Sequence, residues 1–101
     1  PINCNPLLWV LVFCETSGMK WGNGTFMRKR YRGGNDWLPV EKNKLDRIFK
    51  IKNVVDRVRA ISWKTEGLNS HMHFQYWGGK SFITYEEIAE AARLSGVDYG
   101  L

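Results

Sequence analysis

The chain has 101 residues, 44% hydrophobic, 14% aromatic and 25% charged, which supplies apolar surface for one core and leaves too few residues for a second. Ten Gly and three Pro without a period, together with only two Cys, exclude a collagenous, mucin-like or disulfide-dense chain. The formal charge of +5 is unevenly spread: Lys20 to Lys64 holds thirteen Lys/Arg against Asp36, Glu41, Asp46 and Asp56, and the flanks are net acidic, so a positive field projects from one region and favours nucleic acid or an acidic protein surface.

Leu7 to Phe13 is a continuous apolar run. No basic residue precedes it, and it is far short of the roughly 20 residues that span a bilayer. Its lack of alternation predicts a strand buried on both faces, at the centre of a sheet. Cys14-Glu15-Thr16 is a poor cleavage site for a secretory signal, and a start at Pro1 reads as the residue left when an initiator Met is trimmed. A cytoplasmic location without membrane association is expected. Asn23-Gly24-Thr25 matches the glycosylation acceptor pattern, which matters only in a secretory compartment.

Thr16 to Gly24 contains Ser17-Gly18 and Gly22-Asn23-Gly24, residues that supply the backbone conformations of a loop or wide hairpin connection. Thr25 to Arg32 alternates, with Thr25, Met27, Lys29 and Tyr31 on one face and Phe26, Arg28, Arg30 and Arg32 on the other. This predicts a second strand whose cationic face meets solvent or a partner. Gly33-Gly34-Asn35-Asp36 breaks the pattern, and Pro39 suits a first helical turn. From Leu45 to Ile61 apolar residues recur at intervals of three and four, with Lys44, Arg47, Lys50, Arg57 and Arg59 on other faces. A long basic helix follows, bent or split at Lys52-Asn53. The β-branched content of Val54 to Trp63 supports a competing strand.

His71 to Trp77 and Lys80 to Thr84 flank Gly78-Gly79, a strong hairpin signal. Thr84 and Glu87 have the spacing of a capping box, in which each side chain bonds the other residue's amide. A short helix then runs to about Leu94, with Ile88, Ala91, Ala92 and Leu94 apolar and Gly96 as its C-terminal cap. The expected architecture is one α+β domain over residues 1–101, with a mainly antiparallel sheet, one long basic helix and one short C-terminal helix.

The most pointed functional feature is Arg28-Lys29-Arg30-Tyr31-Arg32, because guanidinium groups fork onto phosphates and Tyr31 can stack on a base. The alternative reading is an edge strand protected by charge from edge-to-edge pairing. Lys50, Arg57 and Arg59 extend the candidate contact set along the basic helix. Five Trp cannot all be central in so small a core, and Trp37 and Trp77 complete the set as exposed anchors or stacking platforms.

Zinc is not expected, since Cys4 and Cys14, and His71 and His73, lack the spacings of structural sites. Cys4 and Cys14 are expected as reduced thiols, Cys14 packed as a small hydrophobe. Gly79-Lys80-Ser81 resembles the tail of a phosphate-binding P-loop, but Phe74 stands where the motif needs glycine. Glu86, Glu87 and Glu90 are explained by capping and a solvated helix face, and should stay away from bound nucleic acid. No nucleophile elbow, catalytic Ser/His/Asp order or paired acids is visible, so neither catalysis nor a cofactor is expected.

Thr84 to Gly96 resembles the first helix and turn of helix-turn-helix proteins, although only five residues follow Gly96 and no recognition helix can form from them. Size and basicity are similar to those of small phage proteins that bind host DNA-processing enzymes, an analogy that rests on no motif. The expected function is a non-catalytic modulator docked on a larger nucleic-acid-processing protein of the helicase, nuclease or polymerase class. The alternative is a direct, sequence-tolerant nucleic-acid binder. Oligomeric state and the choice of DNA or RNA are left open by the residues.

Overall fold

The computed structural model describes residues 5–22, 26–30, 39–61, 72–76 and 84–101. Its elements are α1 (Pro6–Ser17), β1 (Phe26–Arg30), α2 (Pro39–Phe49), α3 (Val54–Arg59), β2 (Met72–Tyr76) and α4 (Tyr85–Ser95). The described residues are mainly helical, which overturns the expected α+β domain built on a mainly antiparallel sheet. Sheet structure among the described residues amounts to β1 and β2, two five-residue strands paired antiparallel.

The correction starts at the apolar run. Leu7 to Phe13 is the body of α1, not a central strand, and Pro6 through Cys14 are all buried. A continuous apolar run fits a buried strand and a buried helix equally well, and its ends decide between them. Here Asn5 is the N-cap, its Oδ1 accepting the Leu7 N–H at 3.0 Å. Pro6 occupies the first turn, where its missing N–H costs nothing. Gly18 ends the helix at φ +76, its N–H donating to the Cys14 carbonyl at 3.1 Å. Near that end, Thr16 Oγ1 and Ser17 Oγ donate back to the carbonyls of Val12 at 2.7 Å and Phe13 at 2.6 Å. A helix satisfies its interior backbone groups internally, so it can occupy the core centre without a strand neighbour on either side.

The basic segment splits. α2 ends at Phe49 and α3 starts at Val54, because Asn53 Oδ1 accepts the N–H groups of Val55 (2.9 Å) and Asp56 (3.2 Å) as a fresh N-cap. That cap also removes the competing strand reading over Val54–Arg59. β2 pairs antiparallel with β1, and Thr84 is the N-cap of α4. The hairpin expected across Gly78-Gly79 lies outside the described residues, since residues 77–83 are not among them.

Within α4 the cap is half of the expected box. Thr84 Oγ1 accepts the Glu87 N–H at 3.1 Å, and the Glu87 carboxylate accepts the Thr84 hydroxyl at 3.1 Å. Gly96 closes the helix at φ +76. Around α1 the core is completed by Leu45 and Ile48 of α2, Ile61, Ile88 and Ala92 of α4, and Tyr99. Trp9 and Tyr85 meet with ring centroids 4.7 Å apart at 52°, a tilted pair. No helix among the described residues is long and apolar enough to cross a membrane.

Candidate nucleic-acid interface

α2 is amphipathic in the simplest sense. Leu45 and Ile48 are buried against α1, and Lys42, Asn43 and Arg47 are exposed, with Lys50 and Lys52 exposed in the turn that follows. At 100° per residue, Asn43, Arg47 and Lys50 lie opposite Leu45 and Ile48. Cations near a helix C-terminus also complement its dipole, which favours Arg47 and Lys50 where they stand. None of Lys42, Arg47, Lys50 and Lys52 forms an ion pair with a carboxylate among the described residues. Their charge is available to a ligand.

β1 carries Arg28, Lys29 and Arg30 opposite Phe74, His73 and Met72 of β2. Alternation places Arg28 and Arg30 at positions on the same face as Phe26, and the register adds Met72, Phe74 and Tyr76 to that face. In that register Phe26 stands opposite Tyr76, Arg28 opposite Phe74 and Arg30 opposite Met72. Tyr31, Arg32, Trp37 and Trp77 lie outside the described residues, as do Cys4 and His71.

Arg57 behaves differently from the rest of the predicted set. Its side chain is 13% exposed and pairs with Glu15 of α1 at 2.5 Å. It also donates to the carbonyls of Ile51 at 2.6 Å and Lys52 at 3.1 Å, and its Nε is buried without a hydrogen-bond partner. These contacts tie α3 to α1. Arg59 points outward, 78% exposed and 3.9 Å from Asp56. Of the predicted cations on α2, α3 and the turn between them, Lys50 and Arg59 are open to solvent and Arg57 is a strut.

Cys14 is buried and reduced. Burial first, and then the neighbouring Glu15 carboxylate, push its thiol up to about 12. It stays protonated near neutrality and is no nucleophile there. Tyr99 is raised for the same two reasons, burial before Glu15. Among the described residues no group of three or more His, Cys, Asp or Glu is placed to hold a metal ion.

Trp21, in the loop after α1, stacks on Phe49 with centroids 6.1 Å apart and donates from Nε1 to Asp46 at 2.6 Å. This spends Asp46, an acid that would otherwise stand free among the α2 cations. Lys42, Arg47 and Lys52 are contact candidates the sequence reading left out of its set. The apolar stripe of α2 could have found Arg47, because the residues opposite Leu45 and Ile48 are fixed by the helical period.

On the far side of the charge distribution, Glu90 accepts from Arg93 Nε at 2.9 Å and is also bonded by Arg93 Nη2. That hydrogen bond holds the Glu90 carboxyl below its ordinary range. The chain matches no protein-family model, no curated protein and no solved structure.

Proposed function

We propose that the protein takes part in nucleic-acid transactions without catalysing them, and that the solvent face of α2 and the turn after it contacts phosphate groups directly and without sequence preference. The observation that carries this reading is the exposed set Lys42, Arg47, Lys50 and Lys52, left without carboxylate partners. Cations in that condition release counterions from nucleic acid on binding, the main source of sequence-independent affinity. The β1 register supports it, since it sets Arg28 opposite Phe74 and next to the Phe26–Tyr76 pair, which puts a cationic position beside aromatic ones, as single-strand binding uses. Eight of the fourteen buried hydrophobic residues among those described belong to α1, so this apolar surface is committed internally and is not open to a docking partner.

Titration of labelled single-stranded and double-stranded oligonucleotides at two salt concentrations tests the reading. Affinity should fall steeply with salt, by a log–log slope of roughly 0.7 to 0.9 per phosphate contacted. Replacing Lys42, Arg47, Lys50 and Lys52 by Gln should flatten the slope while leaving the helical circular dichroism unchanged. A slope that is flat from the outset sinks the proposal.

A second reading, the docked modulator, is favoured by the exposure of Leu94, 70% open on α4. Under that reading a helicase, nuclease or polymerase is recovered from a lysate even after nuclease treatment. Recovery that disappears with nuclease leaves the direct binder standing.

A further inference from the structure

Leu94 is the most exposed large apolar side chain among the described residues, 70% open against 44% for Val55. It lies in the last turn of α4, on a cleft of about 790 Å³ between α4 and the C-terminal end of α1. Ala91 continues the apolar floor, and Glu15, Glu86, Glu87 and Glu90 stand around it. Among the described residues no cation lines the cleft. In a chain of net charge +5 this is a local reversal of sign.

The four carboxylates are not equivalent. Glu15 is engaged by Arg57 and Glu90 by Arg93. Glu86 and Glu87 have no ion-pair partner among the described residues, Glu87 bonding only the Thr84 hydroxyl through its side chain. Negative charge without an ion-pair partner among the described residues therefore sits at the N-terminal end of the cleft, and the apolar anchor point sits at its C-terminal end. Seven to eight residues separate them, roughly 11 Å at 1.5 Å per residue.

We propose that this cleft receives a segment of another protein that carries a leucine-like anchor and, about 11 Å from it, a Lys or Arg. The charge of the cleft selects the cation and Leu94 selects the anchor. On a helical ligand the two residues stand seven or eight apart, and on an extended one three or four. The ligand's direction is fixed as well, with its cation towards Glu86 and its anchor towards Leu94. This assignment rests on the docking reading and gives it a surface separate from the α2 cations.

The probe is a fluorescein-labelled, alanine-based helical peptide with one Leu and one Lys seven positions apart, measured by fluorescence anisotropy against the whole chain. Two controls accompany it: the same composition with the pair five positions apart, which puts them on different helix faces, and Glu in place of Lys. The seven-spaced Lys peptide should bind at least tenfold more tightly than either control. Leu94→Ser and Glu86→Gln, both on exposed positions, should each abolish that preference with the helical circular dichroism retained. Equal binding of all three peptides overturns the proposal, as does a preference that survives Leu94→Ser. A nuclease-resistant partner captured equally by the native chain and by Leu94→Ser would leave docking intact and remove this cleft as its site. Loss of every partner with nuclease would remove the docking reading itself.

Discussion

Helices α1 and α2 are 12 and 11 residues long and pack against each other, yet they divide the work of the molecule between them. α1 contains one charged residue, Glu15, and is buried from Pro6 to Cys14. α2 contains five, and of its residues with described burial only Leu45 and Ile48 are buried. The difference lies in how many sides each helix offers to solvent. A helix enclosed on all sides has every residue committed to packing. One that rests on a single stripe keeps its remaining surface open to solvent.

The sharpest way to break that contrast is to place the same class of change in both helices. Leu8→Ala or Leu11→Ala in α1 removes a fully buried side chain and should cost about 2 to 5 kcal/mol in urea unfolding. Arg47→Ala in α2 should move stability by less than about 0.5 kcal/mol, as surface changes do, and should show itself in the salt slope of oligonucleotide binding. An α1 variant that unfolds no more easily than an α2 variant would contradict the central position of α1.

Next in size is the strut between α1 and α3. Glu15→Gln leaves the largely buried Arg57 guanidinium without its counter-charge. A fully buried pair broken this way costs about 3 to 5 kcal/mol, and partial exposure lowers the expectation here to roughly 1 to 3 kcal/mol. Exchanging both residues, Glu15→Gln with Arg57→Met, should cost less than the sum of the single changes. Strict additivity in that double-mutant cycle would show that the two side chains do not interact.

Alkaline pH probes the α1 side alone. Cys14 and Tyr99 both have pKa values raised by folding, so the folded state holds their protons more tightly than the unfolded state. Their contribution is complete below the ordinary values of 9.0 for the thiol and 10.0 for the phenol, and is lost as pH rises beyond them, for Cys14 up to about 12. Unfolding free energy measured from pH 7 to 11 should be level to about pH 9 and decline above it. Cys14→Ala should postpone the onset of the decline to about pH 10, and a decline unchanged in that variant would assign it to other groups.

The smallest expected effect is at the cap of α4. Thr84→Ala removes the oxygen that accepts the Glu87 N–H and should cost about 1 kcal/mol. Serine at the same position should retain most of it.

What the residues announced in advance were the ends and breaks of helices. Thr84 and Gly96 were legible as caps and Lys52-Asn53 as a break, because each acts through its own neighbours in the chain. Asn5-Pro6 and Ser17-Gly18 are equally local signals for the ends of α1, but Ser17-Gly18 was read as a loop and the continuous apolar run before it as a buried strand, which its composition suits as well. The helical character of the fold followed from that one segment.

Arg57 was misplaced for a subtler reason. A continuous helix from Leu45 to Ile61 turns it away from the apolar stripe, whereas a helix restarted at Asn53 has an independent orientation and brings it against Glu15. Its partner is 42 positions away in the chain, beyond the reach of any local pattern. The cations of α2 were legible as a charge excess, and only the packing of Leu45 and Ile48 shows which of them face solvent.

The enclosure of α1 also sets an order of events in biosynthesis. The helix is complete once Ser17 has been made, but Ile88 and Ala92, which help to cover it, belong to α4. At roughly 5 to 20 residues per second, translation from one to the other takes about 4 to 15 seconds. Throughout that interval the apolar run from Pro6 to Cys14 has no finished shelter, so the nascent chain should be a client of ribosome-associated chaperones until α4 emerges.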